Sequence, residues 1–139
     1  KKAQELGASL VVKGDAEDLV PQILAFTNGG ADIVFDCAGV QSTVNNALYT
    51  TKMGAQIVLL ATFKKPIEID SNIVMFKALH LTSTLAYRNV FPTVIELIAE
   101  GRLKVSSVIT SQIELADIVD KGFETLISDI KQAKILVKP

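Results

Sequence analysis

The sequence contains one cysteine, Cys37, and one histidine, His80, among its 139 residues. An internal disulfide is therefore excluded. A zinc site takes three or four protein ligands, usually cysteine or histidine, so this sequence is too poor in them to build one. Any metal chemistry would have to be supplied from elsewhere.

Excess charge and long apolar runs are also missing. The 14 Lys and Arg residues nearly balance the 15 Asp and Glu residues, and the two signs are interspersed. Apolar runs such as IVLLATF have the length of a strand, and the lysine-led N-terminus lacks the apolar core of a signal peptide. We therefore expect no nucleic-acid partner, no membrane partner and a cytoplasmic location.

Recognisable catalytic and phosphate-binding motifs are absent too. None of the eight glycines forms the G-x-G-x-x-G turn that holds a pyrophosphate. No Ser-His-Asp set, close carboxylate pair or P-loop can be assembled from the chain. The residues alone predict a crevice of nucleotide size without a visible catalytic group.

What the sequence does contain is an alternation of apolar, β-branched runs with amphipathic segments. With 49% hydrophobic and 21% charged residues, the chain can form a core of its own. The alternation is typical of βαβ units, so we predict an α/β fold with a doubly wound parallel sheet and helices on both faces. There is no internal repeat and no domain linker.

The same pattern predicts the individual elements. Gly7 ends an opening helix, Ser42 is a plausible helix N-cap, and Gly101 ends a third helix over VFPTVIELIAEG. Further helices are predicted at 15–27 and 115–128, and strands at 9–13, 31–39, 55–61, 79–87 and 133–138. Because the strand at 79–87 is the more polar one, we expect it at a sheet edge.

Ligands of a doubly wound sheet bind just beyond the carboxyl ends of its strands. In this chain three of those ends read DCAGV (36–40), ATF (61–63) and STLAY (83–87). All three consist mainly of small residues, which allow a flat ligand to approach the backbone.

Four stretches carry a resemblance to a known family. KKAQELGA…GGADIVFDCAGV, GAQIVLLA…KPIEID, LTSTLAYRNVFPTVIELIAEG and VITSQIEL…KGFETL…AKILVKP resemble, in order, the cofactor half of zinc-dependent medium-chain alcohol dehydrogenases. STLAYRNVFP is most similar to the butanediol and sorbitol dehydrogenase branch. The resemblance implies that residues 1–139 are the C-terminal part of a Rossmann-like dinucleotide-binding domain, plus its returning C-terminal helix and strand. The first two strands of the full domain would then be absent.

The resemblance also implies a reaction. Such enzymes transfer a hydride between NAD(H) and a secondary alcohol or ketone, while zinc polarises the oxygen. Their glycine motif and zinc ligands lie upstream, so the parent enzyme would hold zinc outside this chain, and the chain alone should be inactive. Sorbitol dehydrogenases carry arginine where this sequence has Ala86, which favours a butanediol or acetoin substrate.

The family places its cofactor against the three strand ends and implies no catalytic or metal-binding residue here. The implied cofactor-binding residues are Cys37, Ala38, Gly39 and Val40, then Ala61 and Thr62, and finally Ser83, Thr84 and Ala86. Several of these residues also have a purely structural interpretation. Cys37 would contribute only its backbone, Gly39 could simply serve a turn, and Ser83 and Thr84 are ordinary strand formers.

Two expectations concern pairing of strands. If the sheet lacks its first two strands, residues 9–13 would pair directly with the strand at 32–37 to cover its apolar edge. The strand from Leu79 to Leu85 would pair antiparallel with a second copy and form a homodimer.

A different class of function stays open beside the dehydrogenase. The chain could be a short, non-catalytic module that binds a nucleotide or associates with itself. A methyltransferase-like α/β enzyme is disfavoured by the resemblance in the last third of the chain.

Overall fold

A computed structural model describes residues 2–139, and the chain divides between Ala86 and Tyr87 into two compact units. Both units combine helices with parallel strands, which confirms the predicted α/β class. Among these residues, no helix is both long enough and apolar enough to cross a membrane.

The described residues of the first unit form four helices and three strands. In chain order they are α1 (Lys2–Glu5), α2 (Leu19–Phe26), β1 (Ala31–Asp36), α3 (Gln41–Thr50), β2 (Thr51–Leu59), α4 (Ser71–Phe76) and β3 (His80–Ser83). Gly7 follows α1 with a φ of 100°, so it ends the opening helix as predicted.

The three strands form one parallel sheet in the order β1-β2-β3. Ile57 of β2, which is buried, lies between Val34 of β1 and Leu81 of β3. The core on this face joins sheet and helix residues, namely Ala47, Leu48, Ala55, Ile57 and Leu79, with Ile73 and Val74 packed against it. β3 lies at an edge of the sheet, as its polar sequence predicts.

Because its sequence is apolar at successive positions, the strand at 31–39 is predicted to be buried on both faces, as a central parallel strand is. That prediction is wrong for β1. Ile33 and Phe35 alternate with the inward-facing Val34, and their exposed fractions are 50% and 59%. The physical reason is that Val34 packs against the core on one face of the sheet, whereas Ile33 and Phe35 lie on the opposite face, which that core does not cover. An all-apolar run therefore marked a strand correctly but did not show how many of its faces are covered.

The strand predicted at residues 9–13 is also wrong, together with its pairing to residues 32–37. Residues 10–13 have no regular secondary structure, and among the described strands β1 pairs with β2 alone. The following segment lies against α3 rather than along β1, because the Asn46 amide donates a hydrogen bond to the Gly14 carbonyl at 3.4 Å. A strand cannot form where no neighbour supplies its hydrogen bonds.

Helix starts differ from the prediction at two places. α2 begins at Leu19 rather than at residue 15, after turns over residues 14–18. Ser42 is not an N-cap, since Val40 occupies that position and α3 begins at Gln41. The helix α4 was not predicted, because it is only six residues long; its cap is Asp70, whose carboxylate accepts from the Asn72 amide at 2.9 Å.

The second unit holds a two-stranded parallel sheet, β4 (Ile109–Glu114) beside β5 (Lys134–Lys138). Its helices are α5 (Phe91–Ala99), a 3₁₀ turn (Ser106–Val108), and a mixed segment that runs from 3₁₀ (Leu115–Asp117) through π (Ile118–Glu124) to α6 (Thr125–Ser128). The predicted helix at 115–128 is thus helical throughout but irregular. β4 was missed by the sequence pattern.

Lys77 binds the end of α3 from the far end of α4. Its ammonium donates to the carbonyl oxygens of Leu48 at 2.8 Å, Tyr49 at 3.2 Å and Thr51 at 2.7 Å. Partial burial lowers the pKa of Lys77 from its ordinary value. The three acceptors offset that desolvation, because they lie at the negative end of the helix dipole.

Replacing Lys77 with methionine should destabilise the first unit. The Lys77→Met variant keeps the aliphatic stem but leaves three carbonyls without their charged donor, so we expect a loss of about 1–2 kcal/mol in the free energy of unfolding. Urea denaturation measures it. Lys13→Met, at an exposed lysine, should change stability by less than about 0.5 kcal/mol. Equal effects of the two substitutions would contradict this role of Lys77.

Candidate functional site

A buried carboxylate, Asp36, organises the carboxyl end of β1. Its exposed fraction is 3%, and its oxygens accept hydrogen bonds from the Ala38 and Gly39 amides at 3.2–3.4 Å and from the Thr43 hydroxyl at 2.7 Å. The side chain thereby fixes the turn that follows β1 and ties it to the first turn of α3.

The backbone of Asp36 makes the connection to the neighbouring strand. Its carbonyl oxygen accepts from the Leu60 amide at 2.9 Å and from the Ala61 amide at 3.2 Å. The segments that leave β1 and β2 are therefore held side by side, as expected at the carboxyl edge of a parallel sheet.

Gly39 is required by the packing of these two segments. Its φ is +69°, and a Cβ placed there would lie 2.9 Å from both the Ala61 Cβ and the Thr62 carbonyl oxygen. A larger residue would push the two strand ends apart. At Gly39 the backbone after β1 therefore packs closely against the backbone after β2. Gly39 also forms the turn that the sequence suggested.

A cavity of about 450 Å³ opens beside this junction. Two segments line it, and their residues are Ala38, Gly39, Val40 and Gln41 after β1, then Thr62, Lys64, Lys65, Pro66 and Ile67 after β2. Most of the lining is apolar, so the cavity suits a flat apolar group whose few polar atoms reach the Thr62 hydroxyl or the backbone.

The structure brings together only part of the predicted set. Ala38, Gly39, Val40 and Thr62 line the cavity. Ala61 packs next to Gly39 but does not line the cavity. Cys37 is exposed and does not line it.

The third predicted group lies at the end of β3. Ser83 pairs with Leu59 in the sheet, so it shares the carboxyl edge with the other two ends. Ser83, Thr84 and Ala86 are all exposed, and none of them lines the cavity. His80, the single histidine, is exposed as well.

Sequence reasoning missed three lining residues that carry polar atoms. Lys64 and Lys65 directly follow the ATF strand end and add positive charge to an otherwise apolar cavity. Gln41, the first residue of α3, bonds the backbone of Glu68. A pair of lysines just past a predicted strand end is a signal that could have been used; the reach of Gln41 to Glu68 across 27 residues could not have been read from the sequence.

The part of the chain that the structure describes contains no cluster of three or more His, Cys, Asp and Glu residues suited to a metal ion. The residues of the cavity do not fit a zinc ion either, since its lining holds no carboxylate, imidazole or thiolate. The site can bind and orient a ligand, and the ionisable groups in its lining are the ammonium groups of Lys64 and Lys65.

Comparison with known sequences places the chain in a family. A family model described as zinc-binding dehydrogenase matches residues 1–100. The (R,R)-butanediol dehydrogenase of Bacillus subtilis (strain 168) is 34% identical over 139 residues, which is 100% of this chain and 40% of the relative. The (R,R)-butanediol dehydrogenase of Neisseria gonorrhoeae (strain ATCC 700825 / FA 1090) is 32% identical over 141 residues, with 99% and 40% covered. The chain spans about 40% of the length of these curated relatives.

Solved structures agree with the sequence comparison. The crystal structure of 2R,3R-butanediol dehydrogenase from Bacillus subtilis matches with a TM-score of 0.91 at 34% identity, over 99% of this chain and 40% of that one. A Sinorhizobium meliloti 1021 protein solved bound to NADP matches with a TM-score of 0.84 at 28% identity, over 99% and 41%. These matches confirm the predicted Rossmann-like fold and the family resemblance: the chain belongs to the zinc-binding dehydrogenase family.

Proposed function

We propose that the cavity between the ends of β1 and β2 receives the nicotinamide end of NAD(H) in an oxidoreductase that acts on a secondary alcohol or ketone of the butanediol or acetoin type. The observation that supports this most is the cavity itself, about 450 Å³ and lined by the small residues Ala38, Gly39 and Val40. It lies in a chain similar along its whole length to a butanediol dehydrogenase.

The dimensions and chemistry of the cavity suit this occupant. Ligand pockets range from about 300 to 1,000 Å³, so the volume fits the ring and ribose of a dinucleotide rather than the whole molecule. Thr62 offers a hydroxyl to a carboxamide, and Lys64 and Lys65 complement the negative charge of a nucleotide. A nicotinamide bound there supplies the hydride acceptor or donor.

This chain's share of the reaction is binding and orientation. Gly39 keeps the two strand ends in contact, Val40 and Pro66 present apolar surface that excludes water, and Thr62 fixes the rotation of the ring. Zinc ligands are not found among the described residues, so we assign zinc to residues outside this chain. We propose NAD rather than NADP on the resemblance; one protein of similar structure was solved with NADP.

The predicted residues that do not line the cavity are also proposed to contact the cofactor. We propose that the ends of β1, β2 and β3 together contact the cofactor, so Cys37 and Ala61 would contribute backbone atoms. Ser83, Thr84 and Ala86 would meet the part of the nucleotide that extends beyond the cavity. A cytoplasmic location stays a prediction from the sequence.

Filling the cavity should weaken cofactor binding. Val40 is 48% exposed and lies in extended backbone at the N-cap of α3, so tryptophan fits there without disturbing the core. In the full-length enzyme that contains this chain, Val40→Trp should raise the KM for NAD(H) at least about tenfold, because the indole occupies the volume of the ring. Steady-state kinetics of 2,3-butanediol oxidation measures this.

The matched control is Ile130→Trp, at an exposed residue of the second unit, which should leave the KM unchanged. If Val40→Trp binds NAD(H) as well as the parent enzyme, the cavity is not the nicotinamide site. If the parent enzyme binds NAD(H) but oxidises no secondary alcohol, the substrate proposal fails and a non-catalytic nucleotide-binding module is supported.

We also propose a homodimer that forms through the edge strand from Leu79 to Leu85. β3 has no neighbour on its outer side among the described strands, and all four of its residues are exposed. Leu85, at the end of this segment, has an exposed fraction of 89%. Free strand edges and exposed leucines are features that a second copy would cover.

Substituting Leu85 should dissociate such a dimer. Leu85→Asp places a charge in the proposed contact, so multi-angle light scattering should give a dimer mass for the parent protein and a mass shifted towards the monomer for the variant. Ile130→Asp serves as the control, because Ile130 is equally exposed, at 97%, but lies outside the segment. A parent protein that is monomeric at high concentration would contradict the proposal.

A further inference from the structure

The side chain of Gln41 forms a bridge that resembles a pair of backbone bonds in a sheet. Its Nε2 donates to the Glu68 carbonyl oxygen at 2.8 Å, and its Oε1 accepts from the Glu68 amide at 2.8 Å. The backbone N–H and C=O of one residue are thus both bonded to one side-chain amide, as they are between paired strands.

A third bond fixes the orientation of that amide. Nε2 also donates to Oδ1 of Asn45, one turn further along α3, at 2.8 Å. Because Asn45 accepts from the nitrogen, the amide of Gln41 is held with its oxygen towards the Glu68 N–H. The three contacts lock a long side chain that would otherwise be free in solvent.

The bridge lies in the wall between two cavities. Gln41 lines the cavity of about 450 Å³ that contains Thr62 and Lys64, and it also lines a second cavity of about 360 Å³ that contains Tyr49 and Asp70. Glu68 lines the second one as well. Without the bridge, the segment from residue 62 to residue 70 could separate from α3, and the two cavities would merge.

This segment has few other anchors. Residues 60–70 contain no helix or strand. The two ends of the segment are bonded at Asp36 and at the Asp70 cap of α4, and between them its hydrogen bonds within the described structure are those to Gln41. Segments with few bonds open locally at low free-energy cost, so the loss of one anchor has a large effect on their position.

We propose that Gln41 is a positioning residue, which holds the segment carrying Lys64, Lys65 and Pro66 against α3 and so keeps the wall of the nucleotide cavity in place. The inference rests on the proposed function for the identity of the ligand. The bridge itself does not depend on that function.

The position of the segment can be tested without any ligand by limited trypsin digestion. Trypsin cleaves after Lys64 but not between Lys65 and Pro66, so a fragment ending at Lys64 reports opening of this segment alone. Gln41→Ala should increase the rate of cleavage after Lys64 about tenfold, as expected for the loss of the two bonds to Glu68. Mass spectrometry of the fragments measures it.

Gln41→Glu has nearly the same shape and removes only the donor. The carboxylate still accepts from the Glu68 N–H, but it faces the Glu68 carbonyl and Asn45 Oδ1 without a proton to give, so cleavage should again increase. Gln22→Glu makes the same change at an exposed glutamine of α2 and should leave cleavage after Lys64 unchanged. Because glutamate has nearly the same volume as glutamine, Gln41→Glu should still fold, and it provides the test if Gln41→Ala unfolds.

The effect of Gln41 on cofactor binding is measured by steady-state kinetics of the full-length enzyme that contains this chain. Gln41→Glu should raise the KM for NAD(H) several-fold while kcat stays within about twofold, because the wall is displaced but no reacting group is touched. Unchanged cleavage after Lys64 in both variants would overturn the bridge. Increased cleavage with an unchanged KM would overturn its role in nucleotide binding. An enzyme that does not bind NAD(H) at all would instead contradict the proposed function, and the cleavage assay would still decide whether Gln41 holds the segment.

Discussion

The candidate site depends on one buried carboxylate at the end of β1. Asp36 holds the turn through Ala38 and Gly39 with its side chain, reaches α3 through Thr43, and fixes the exit of β2 with its carbonyl oxygen. A charge buried to 3% exposure is costly unless it is fully bonded. Here the carboxylate of Asp36 accepts hydrogen bonds from the backbone that shapes the cavity. These bonds stabilise the buried carboxylate and also fix the position of the strand end.

Gly39 and Gln41 complete this arrangement from the two sides of Val40. Gly39 permits contact between the two strand ends, since a Cβ would meet Ala61 and Thr62 at 2.9 Å. Gln41 holds the continuation of the second strand end through Glu68. Over six consecutive residues, from Asp36 to Gln41, the chain therefore determines where the residues that follow β2 lie. Contacts of Asp36, Gly39 and Gln41 therefore position Lys64 and Lys65 beside the cavity.

The α/β class, the parallel strands and the edge position of β3 could be predicted from the sequence, because apolar periodicity and polarity are local properties. The short helix α4 and the strand β4 could not, since neither has a distinctive pattern. The predicted strand at 9–13 failed for a different reason. Its residues favour a strand, but pairing is a tertiary property, and the described structure offers it no partner. Ile33 and Phe35 show the same limit, because a sequence run records apolarity and not which face is covered.

The lining of the cavity was predictable where it depends on the end of a strand and unpredictable where it depends on a long-range contact. Ala38, Gly39, Val40 and Thr62 follow predicted strands and line the cavity. The bond from Gln41 to Glu68 joins residues 27 apart, which only the fold brings together. The proposal of NAD(H) as the ligand comes from the resemblance to dehydrogenases, because the residues themselves indicate only a flat crevice lined by small residues.

The most direct test of the central claim is a crystal structure of the full-length enzyme with NADH bound. The account predicts the nicotinamide ring in van der Waals contact with the backbone of residues 38–40 and with Thr62, inside the cavity between the ends of β1 and β2. A nicotinamide ring bound elsewhere, with this cavity filled only by solvent, would contradict it.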